Sequence, residues 1–236
     1  MNLIILFKSD FTSSDCITLK DRRFVHIKTI HKPQVGDSLK VGLLNGETGS
    51  GEVTHIDEES INLRINLSTM APQPLPLKLL LALPRPKMLK RVLQTAASMG
   101  VKEIYLINSY RVDKSYWGSP VLEHQIEENL LLGLEQAGDT IMPKVHLRKR
   151  FKPFVEDELP AISVDTRALI AHPYNASPCP SPEKLPTTLA VGPEGGFIPY
   201  EVEKLNQCGF ESIHIGERVL RVETAVPVLL SRLFPI

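Results

Sequence analysis

Ala190-Val191-Gly192-Pro193-Glu194-Gly195-Gly196-Phe197 is the stretch around which the chain is organised. It lies between a strand-like run, Thr187 to Val191, and a helix-like run, Pro199 to Asn206. A strand that leads through a glycine turn into a helix presents backbone N–H groups at one place. Gly195 and Gly196 let a flat ligand approach the main chain, because no Cβ intervenes. The stretch is neither a Walker loop nor a Gly-x-Gly-x-x-Gly motif, and a simple strand-to-helix turn explains it equally well.

A second stretch, Ile215-Gly216-Glu217-Arg218-Val219-Leu220-Arg221-Val222-Glu223-Thr224-Ala225, follows another strand-like run, Glu211 to Ile215. Together the two stretches resemble the motifs of the RsmE-type 16S rRNA uracil-N3 methyltransferases, with Ile215 in place of a leucine. That family belongs to the SPOUT superfamily, in which a C-terminal trefoil knot holds S-adenosylmethionine. The resemblance covers essentially the whole chain, and the two motifs in this order are more specific than either alone.

Length and composition indicate an ordinary globular protein. The chain has 236 residues, with 42% hydrophobic and 23% charged residues, which suits one large domain or a small one plus a medium one. Three scattered cysteines without Cys-x-x-Cys spacing argue against a structural metal and favour a reducing, cytoplasmic location. The apolar run at the N-terminus is too short for a signal peptide or a membrane span, so no membrane partner is expected.

The charge balance gives no general argument for nucleic acid, because the formal net charge is +0. Basic residues nevertheless cluster in three stretches. These are Arg22, Arg23, His26, Lys28, His31 and Lys32; Arg85, Lys87, Lys90 and Arg91; and Lys144, Arg148, Lys149, Arg150 and Lys152. Any one alone is explained by a solvated face, whereas several on one face would suit a phosphate backbone.

Residues 1–70 are predicted to form short strands separated by turns. Phe24–Ile27, Ser38–Leu44, Gly51–Asp57 and Ser60–Leu67 are strand-like, and Asn45-Gly46 is a hairpin signal. Such a run of short strands favours a small barrel. The resemblance implies a PUA-like β-barrel that helps to hold RNA, with Arg22, Arg23 and His26 on its opening strand. Packing of His26 in a barrel wall is the alternative.

A proline-rich linker at residues 70–76 separates this region from residues 71–236, where strands and helices alternate. Strands are predicted at Leu77–Leu83, Glu103–Ile107 and Ala168–Pro173, in addition to those before the two motifs. Helices are predicted at Leu89–Met99, Leu122–Ala137 and Val222–Phe234. The alternation predicts an α/β domain with a parallel sheet, helices on both faces and ligands at the carboxyl ends of the strands. The residues themselves predict an unknotted sheet, and the trefoil knot is implied by the resemblance.

The resemblance implies S-adenosylmethionine as cofactor. The glycines would let the main chain close around it, and strand-end apolar residues would form walls, although ordinary core packing explains the latter too. The predicted cofactor-binding residues are Leu169, His172, Pro173, Val191, Gly192, Gly195, Gly196, Ile215, Gly216, Val219 and Leu220.

The methyl acceptor implied by the resemblance is N3 of an unstacked uridine in 16S rRNA of the small ribosomal subunit. Its N–H is a weak acid, so a fixed cation that favours the anion would assist transfer, and Arg221 is predicted to be that cation. Glu194 is predicted to contact the ribose or the sulfonium. Glu223 is predicted to act as a base or to orient Arg221, unless it merely stabilises a helix N-terminus. Arg85 and Lys87 are predicted RNA contacts.

The chain differs from the family pattern at Thr95, Ser98, Asp139 and Ile198. The family usually has Lys and Glu at the first two, Arg at the third and an N-capping Ser at the last. The charge changes leave two further hypotheses open: a SPOUT methyltransferase with a different RNA target, or a non-catalytic RNA-binding or assembly factor. The resemblance also implies a homodimer, with the C-terminal helix near the partner.

Overall fold

The computed structural model describes residues 2–235. They divide into two compact units. The N-terminal unit contains the residues up to Gln73 together with Leu131–Met142, and the C-terminal unit contains Pro74–Leu130 together with the residues from Pro143 onwards. Each unit is built around its own sheet.

The N-terminal unit contains a curled mixed sheet of five strands in the order β1-β3-β4-β5-β2. Its strands are β1 Ile4–Leu6, β2 Cys16–Leu19, β3 Ser38–Leu43, β4 Thr48–Ile56 and β5 Ile61–Thr69. β1 runs parallel to β3, and the other pairs are antiparallel. The predicted hairpin at Asn45-Gly46 is confirmed, because it joins β3 to β4 with Asn45 at a φ of 60°. The alternating apolar residues of β3 and β5 are buried in one core.

The strand predicted at Phe24–Ile27 is wrong. This region forms helix α1, Arg22–His26, followed by a π-helical turn, Ile27–His31. The carboxylate of Asp21 accepts a hydrogen bond from the Arg23 N–H at 2.8 Å, which is the N-cap arrangement that starts a helix. Phe24 and Ile27 are both buried, and their spacing of three residues puts them on one face of a helix rather than of a strand.

The C-terminal unit contains a parallel sheet of seven strands in the order β10-β12-β9-β11-β6-β7-β8. The strands are β6 Leu77–Ala82, β7 Glu103–Ile107, β8 Lys144–Arg148, β9 Arg167–Ala171, β10 Ser177–Pro178, β11 Thr187–Val191 and β12 Glu211–His214. The helices are α2 Pro86–Ser98, α3 Pro120–His124, α4 Ile126–Ala137, α5 Phe151–Pro153, α6 Leu159–Ser163, α7 Pro199–Gln207 and α8 Val222–Leu233. The part of α4 from Leu131 onwards is counted with the N-terminal unit.

Most elements predicted for the alternating region are confirmed, including the parallel sheet. The predicted helix Leu122–Ala137 is broken at Gln125 into α3 and α4. The sequence prediction missed β8 and the helical segment 151–163. β8 is an edge strand that pairs with β7 alone, so it carries charged residues and lacks the continuous apolar run of an inner strand.

Candidate active site

Three loops at one edge of the parallel sheet line a single cavity of about 690 Å³. They follow β9, β11 and β12, which are neighbours in the sheet order β12-β9-β11. Because parallel strands end at the same edge, the three loops meet there. Their lining residues include His172, Pro173, Val191, Gly192, Gly195, Gly196, Ile215, Gly216, Val219 and Leu220. Leu169 does not line the cavity. It is 2% exposed inside β9, two residues before the strand end, and Ala171 lines the cavity in its place.

The loop after β11 folds back tightly on itself. The Gly196 N–H donates to the Pro193 carbonyl at 2.7 Å, and Gly196 has a φ of 73°. A Cβ on Gly192 would lie 3.0 Å from the Phe197 nitrogen and 3.3 Å from the Gly196 carbonyl carbon. A side chain at Gly192 would therefore push the two arms of the turn apart, which is the physical reason that glycine is required there.

Arg111 supports this loop from the neighbouring part of the sheet edge. Its Nη1 donates to the Gly195 carbonyl, and a Cβ on Gly195 would lie 2.9 Å from Arg111 Cδ. Arg111 itself lines the cavity. The sequence prediction missed this residue, although its position four residues after the end of β7 puts it at the ligand-binding edge by the same strand-end argument.

Glu194 lines the cavity and is exposed. Its Oε1 accepts a hydrogen bond from the Arg85 backbone N–H at 3.0 Å. Arg85 and Lys87 are both exposed, at the start of α2. The predicted RNA contacts Arg85 and Lys87 thus lie beside the glycine loop, and their side chains face solvent.

Glu201 is a buried carboxylate that the sequence prediction missed. It is 2% exposed, its Oε2 accepts from the Ile198 N–H at 3.0 Å, and its Oε1 accepts from the Tyr110 N–H at 2.7 Å. The first contact stabilises the start of α7, where Ile198 has no capping side-chain hydrogen bond of its own and Pro199 occupies the first turn. The signal was a glutamate three residues after the N-cap position.

His172 lines the cavity, and one of its ring nitrogens has no hydrogen-bond partner among residues 2–235. Its Nδ1 is buried and makes no hydrogen bond, and its ring packs edge-on to Tyr174, with 5.9 Å between centroids. Burial lowers the pKa of His172, so the neutral imidazole is favoured.

Arg221 and Glu223 flank the cavity without lining it. Arg221 is the exposed N-cap residue of α8, and Glu223 is half-buried in the first turn of that helix. Val222 between them lines the cavity, as do Ala225 and Leu229 of the same helix. The two charged residues therefore belong to the helix that closes one wall.

The basic residues predicted in the N-terminal unit have different surroundings. The Arg22 guanidinium donates to both carboxylate oxygens of buried Glu135, at 3.1 and 2.9 Å, and its side chain is 46% exposed. Arg23 is 3% exposed and is held by Asp10 and Asp21. Its burial removes Arg23 from the surface that RNA could touch, because its guanidinium is already paired inside the unit.

His26 is half-buried and lies on α1 rather than on a strand. Its ring contacts that of His31, with 5.4 Å between centroids, and burial lowers its pKa. Its Nε2 has no hydrogen-bond partner among residues 2–235.

Within residues 2–235, no group of three or more His, Cys, Asp or Glu side chains is arranged to hold a metal ion. No helix in this range has both the length and the apolar character to cross a membrane.

The C-terminal unit thus combines a parallel sheet with a glycine-lined cavity between its strand-end loops. A family model described as RNA methyltransferase domain matches residues 71–234, and the chain belongs to this family. It is similar to the ribosomal RNA small subunit methyltransferase E of Treponema pallidum, with 29% identity over 232 residues that cover 94% of this chain and 86% of that protein. It is also similar to the ribosomal RNA small subunit methyltransferase E 1 of Borreliella burgdorferi, with 25% identity over 229 residues, 95% of this chain and 94% of that protein.

Solved structures show the same fold. The ribosomal RNA small subunit methyltransferase E of Neisseria gonorrhoeae, bound to S-adenosyl methionine, aligns with a TM-score of 0.76 at 19% identity and covers 98% of this chain and 95% of its own. A methyltransferase of Legionella pneumophila in complex with the same cofactor aligns with a TM-score of 0.76 at 22% identity, with the same coverage.

Proposed function

We propose that the protein transfers a methyl group from S-adenosylmethionine to N3 of a uridine in 16S rRNA of the small ribosomal subunit. The observation that carries the proposal is the convergence of the loops after β9, β11 and β12 on one cavity in an RNA methyltransferase domain. The names of the relatives support the rRNA substrate.

The cavity fits the chemistry of the cofactor. Its volume lies in the range of small-molecule sites. Val191, Ile215 and Leu220 offer an apolar wall for a flat adenine, and the close-packed glycine turn lets the main chain reach its polar edge. His172 lines the cavity and would contact the ligand. When bound, S-adenosylmethionine supplies an electrophilic methyl group and departs as a neutral thioether.

The chain's own residues would handle charge and position. Loss of the N3 proton leaves negative charge on the uracil ring, and we propose that Arg221 holds that charge from the N-terminus of α8. Glu194 would contact the cofactor's ribose or sulfonium, since its carboxylate lines the cavity. Glu223 would orient Arg221 or accept the proton. Holding the two reactants in line supplies much of the rate by itself.

RNA would be held by exposed cations on both units. We retain Arg22, His26, Arg85 and Lys87 as proposed RNA contacts. The support is that Arg22, Arg85 and Lys87 are exposed and that His26 is partly so. Arg23 is not retained, because its guanidinium is buried.

Finer features of the fold are part of the same proposal. The trefoil knot is supported by the strand order, in which β9 lies between β11 and β12. The PUA-like barrel at 1–70 is supported by the curled five-stranded sheet. A boundary in the 70–76 linker, ahead of a methyltransferase domain at 71–236, is supported by the division after Gln73.

A homodimer in the cytoplasm completes the proposal. Val219 and Leu220 line the cavity but are also exposed, and their exposed surface is a candidate for a partner contact. By contrast, Val226, Leu229, Leu230 and Leu233 of α8 are buried within the chain. Light scattering after gel filtration tests the dimer.

The departures from the family pattern do not favour a different RNA target. Asp139 is buried and accepts a hydrogen bond from the Ile141 N–H at 2.9 Å. The Ser98 hydroxyl donates to the Thr95 carbonyl at 2.9 Å. Asp139 and Ser98 thus have roles inside their own units, and we expect them to affect folding more than substrate choice.

The test is methylation of small ribosomal subunits from a strain that lacks the corresponding modification. With labelled S-adenosylmethionine, label should appear at N3 of one uridine, and label elsewhere or none would refute the proposal. Arg221→Ala should lower kcat by about 100- to 1000-fold, as loss of a charge-stabilising group does. Its affinity for the cofactor, measured by calorimetry, should stay near that of the wild type. Arg232→Ala, an exposed position in the last turn of α8, is the matched control and should retain normal turnover.

A further inference from the structure

Tyr110 is an exposed aromatic residue at the edge of the sheet that carries the cavity. It follows β7 by three residues and is 79% exposed. A single exposed aromatic side chain is common and carries no conclusion alone. Two features distinguish Tyr110. Its backbone is held by a hydrogen bond to a buried carboxylate, and cations follow the neighbouring strands at the same edge of the sheet.

The backbone of Tyr110 is tied to the glycine loop on two sides. Its N–H donates to the buried carboxylate of Glu201 at 2.7 Å, and the other oxygen of that carboxylate accepts from Ile198, the residue after Phe197. The next residue, Arg111, donates to the Gly195 carbonyl. A buried carboxylate with two backbone donors connects the loop after β7 to the start of α7 and restricts the movement of both. The ring is therefore presented to solvent from a rigid support.

The neighbouring strand ends carry positive charge. Arg85 and Lys87 follow β6, Arg111 follows β7, and Lys149 and Arg150 follow β8; all five are exposed. β6, β7 and β8 are adjacent parallel strands, so these residues lie along one edge. Exposed acids also occur there. Glu194 lines the cavity, and the carboxylate of Asp113 is held by the backbone N–H and hydroxyl of Ser115 at 2.9 and 2.8 Å.

We propose that the Tyr110 ring is a stacking platform for the RNA base next to the methylated uridine. An exposed aromatic ring on an edge that also carries cations suits a single nucleic-acid strand, with bases on the ring and phosphates on the cations. Arg111 lines the cavity and Tyr110 does not, so the ring meets a flanking base while the target uridine enters the cavity. This inference rests on the proposed function and adds a substrate-binding residue to it.

The test compares Tyr110→Ala with Tyr110→Phe in the full-length protein. Small ribosomal subunits that lack the methyl group are the probe, and kcat, KM and subunit affinity by filter retention are measured. Tyr110→Ala should raise KM and Kd for the subunits by about 5- to 150-fold, the range for loss of one base–aromatic stack. Its kcat and its cofactor affinity by calorimetry should stay within about twofold of the wild type, because the ring lies outside the cavity. Tyr110→Phe keeps the ring and should behave as the wild type.

Val164→Ala is the matched control. Val164 is 59% exposed and precedes β9, at the opposite edge of the sheet, so its loss should leave both constants unchanged. Subunit binding by Tyr110→Ala at wild-type strength would overturn the inference, as would an equal defect in Tyr110→Phe or a parallel loss of cofactor affinity. Failure of the proposed function gives a different result. The wild type would then transfer no methyl group to the subunits, whereas filter retention would still measure the effect of Tyr110→Ala on subunit binding.

Discussion

Replacement of Glu201 by glutamine tests whether the loop that carries Tyr110 and Arg111 depends on one buried carboxylate. Both carboxylate oxygens accept backbone N–H groups, from Tyr110 at 2.7 Å and from Ile198 at 3.0 Å. Glutamine has the same shape but offers one acceptor oxygen and one NH₂ donor. One of the two N–H groups must therefore face another donor, and that connection is lost.

The magnitude follows from the two hydrogen bonds. Each bond to the carboxylate contributes about 1.5–3 kcal/mol, and glutamine keeps one neutral bond of about 1 kcal/mol, so the loss is about 2–5 kcal/mol. Removing the charge recovers part of the desolvation that the buried carboxylate suffers. We therefore expect the free energy of unfolding of the C-terminal unit to fall by about 2 kcal/mol. If the cofactor has to restore the loop, its Kd rises by no more than about 30-fold, the factor equivalent to 2 kcal/mol.

The assay uses the single tryptophan of the chain, Trp117, whose indole N–H donates to the Asn108 side chain at 3.0 Å in the same loop region. Urea unfolding followed by its fluorescence gives the stability, and amide hydrogen exchange at Tyr110 and Ile198 reports on the two bonds directly. Glu211→Gln, an exposed glutamate in β12, is the control and should change neither quantity. Unchanged protection of both amides in Glu201→Gln, together with wild-type stability, would refute the reasoning.

Three further predictions concern single sites. Gly192→Ala places a Cβ 3.0 Å from a backbone nitrogen, and strain of about 1–3 kcal/mol should weaken cofactor binding about 5- to 150-fold by calorimetry. Gly118→Ala has open space around the new Cβ and should bind the cofactor normally. Equal cofactor affinities of the two variants would show that the turn at Gly192 accommodates a side chain. Arg23→Met removes the ion pairs of the buried guanidinium with Asp10 and Asp21 and its hydrogen bond to the Ile5 carbonyl, and it should destabilise the protein by about 3–5 kcal/mol in urea unfolding followed by circular dichroism. Arg64→Met removes only an exposed pair and should cost less than about 1 kcal/mol; similar losses in the two variants would contradict the pairing. Burial lowers the pKa of His172. The neutral side chain therefore contributes fully to the free energy of unfolding above about pH 6.5. That contribution is lost as pH falls towards the folded-state pKa, because the unfolded chain binds the proton more readily. His172→Asn should flatten the dependence of stability on pH below about 6.5, and an unchanged slope would show that another group titrates.

Local patterns predicted the inner elements of the parallel sheet well. β7 and β11 have the predicted bounds, since inner strands of a parallel sheet are buried on both faces and therefore read as continuous apolar runs. α2 and α8 were likewise visible from apolar residues at helical spacing. The glycine turns after β11 and β12 identified the ligand-binding edge.

Prediction from sequence failed where the local pattern was short, and where charged residues lie in an edge strand or in the interior. The pattern of four residues, Phe24–Ile27, is compatible with both a strand and one helical turn. The N-cap hydrogen bond at Asp21 stabilises the helix. β8 was read only as a basic stretch, since an edge strand has one covered side and tolerates charge. Arg23 looked like a surface cation, yet two aspartates hold it inside the unit.

The order of glycines, strands and helices along the chain determined by itself that a parallel sheet would carry a ligand site at its carboxyl edge, because those features depend on residues close in sequence. The tertiary structure alone decided which side chains support the loops around the cavity. Arg111 and Gly195 are 84 residues apart, and Tyr110 and Glu201 are 91 residues apart. Local periodicity carries no information on such pairs, since their approach depends on the order in which β6, β7, β9, β11 and β12 pair across the sheet.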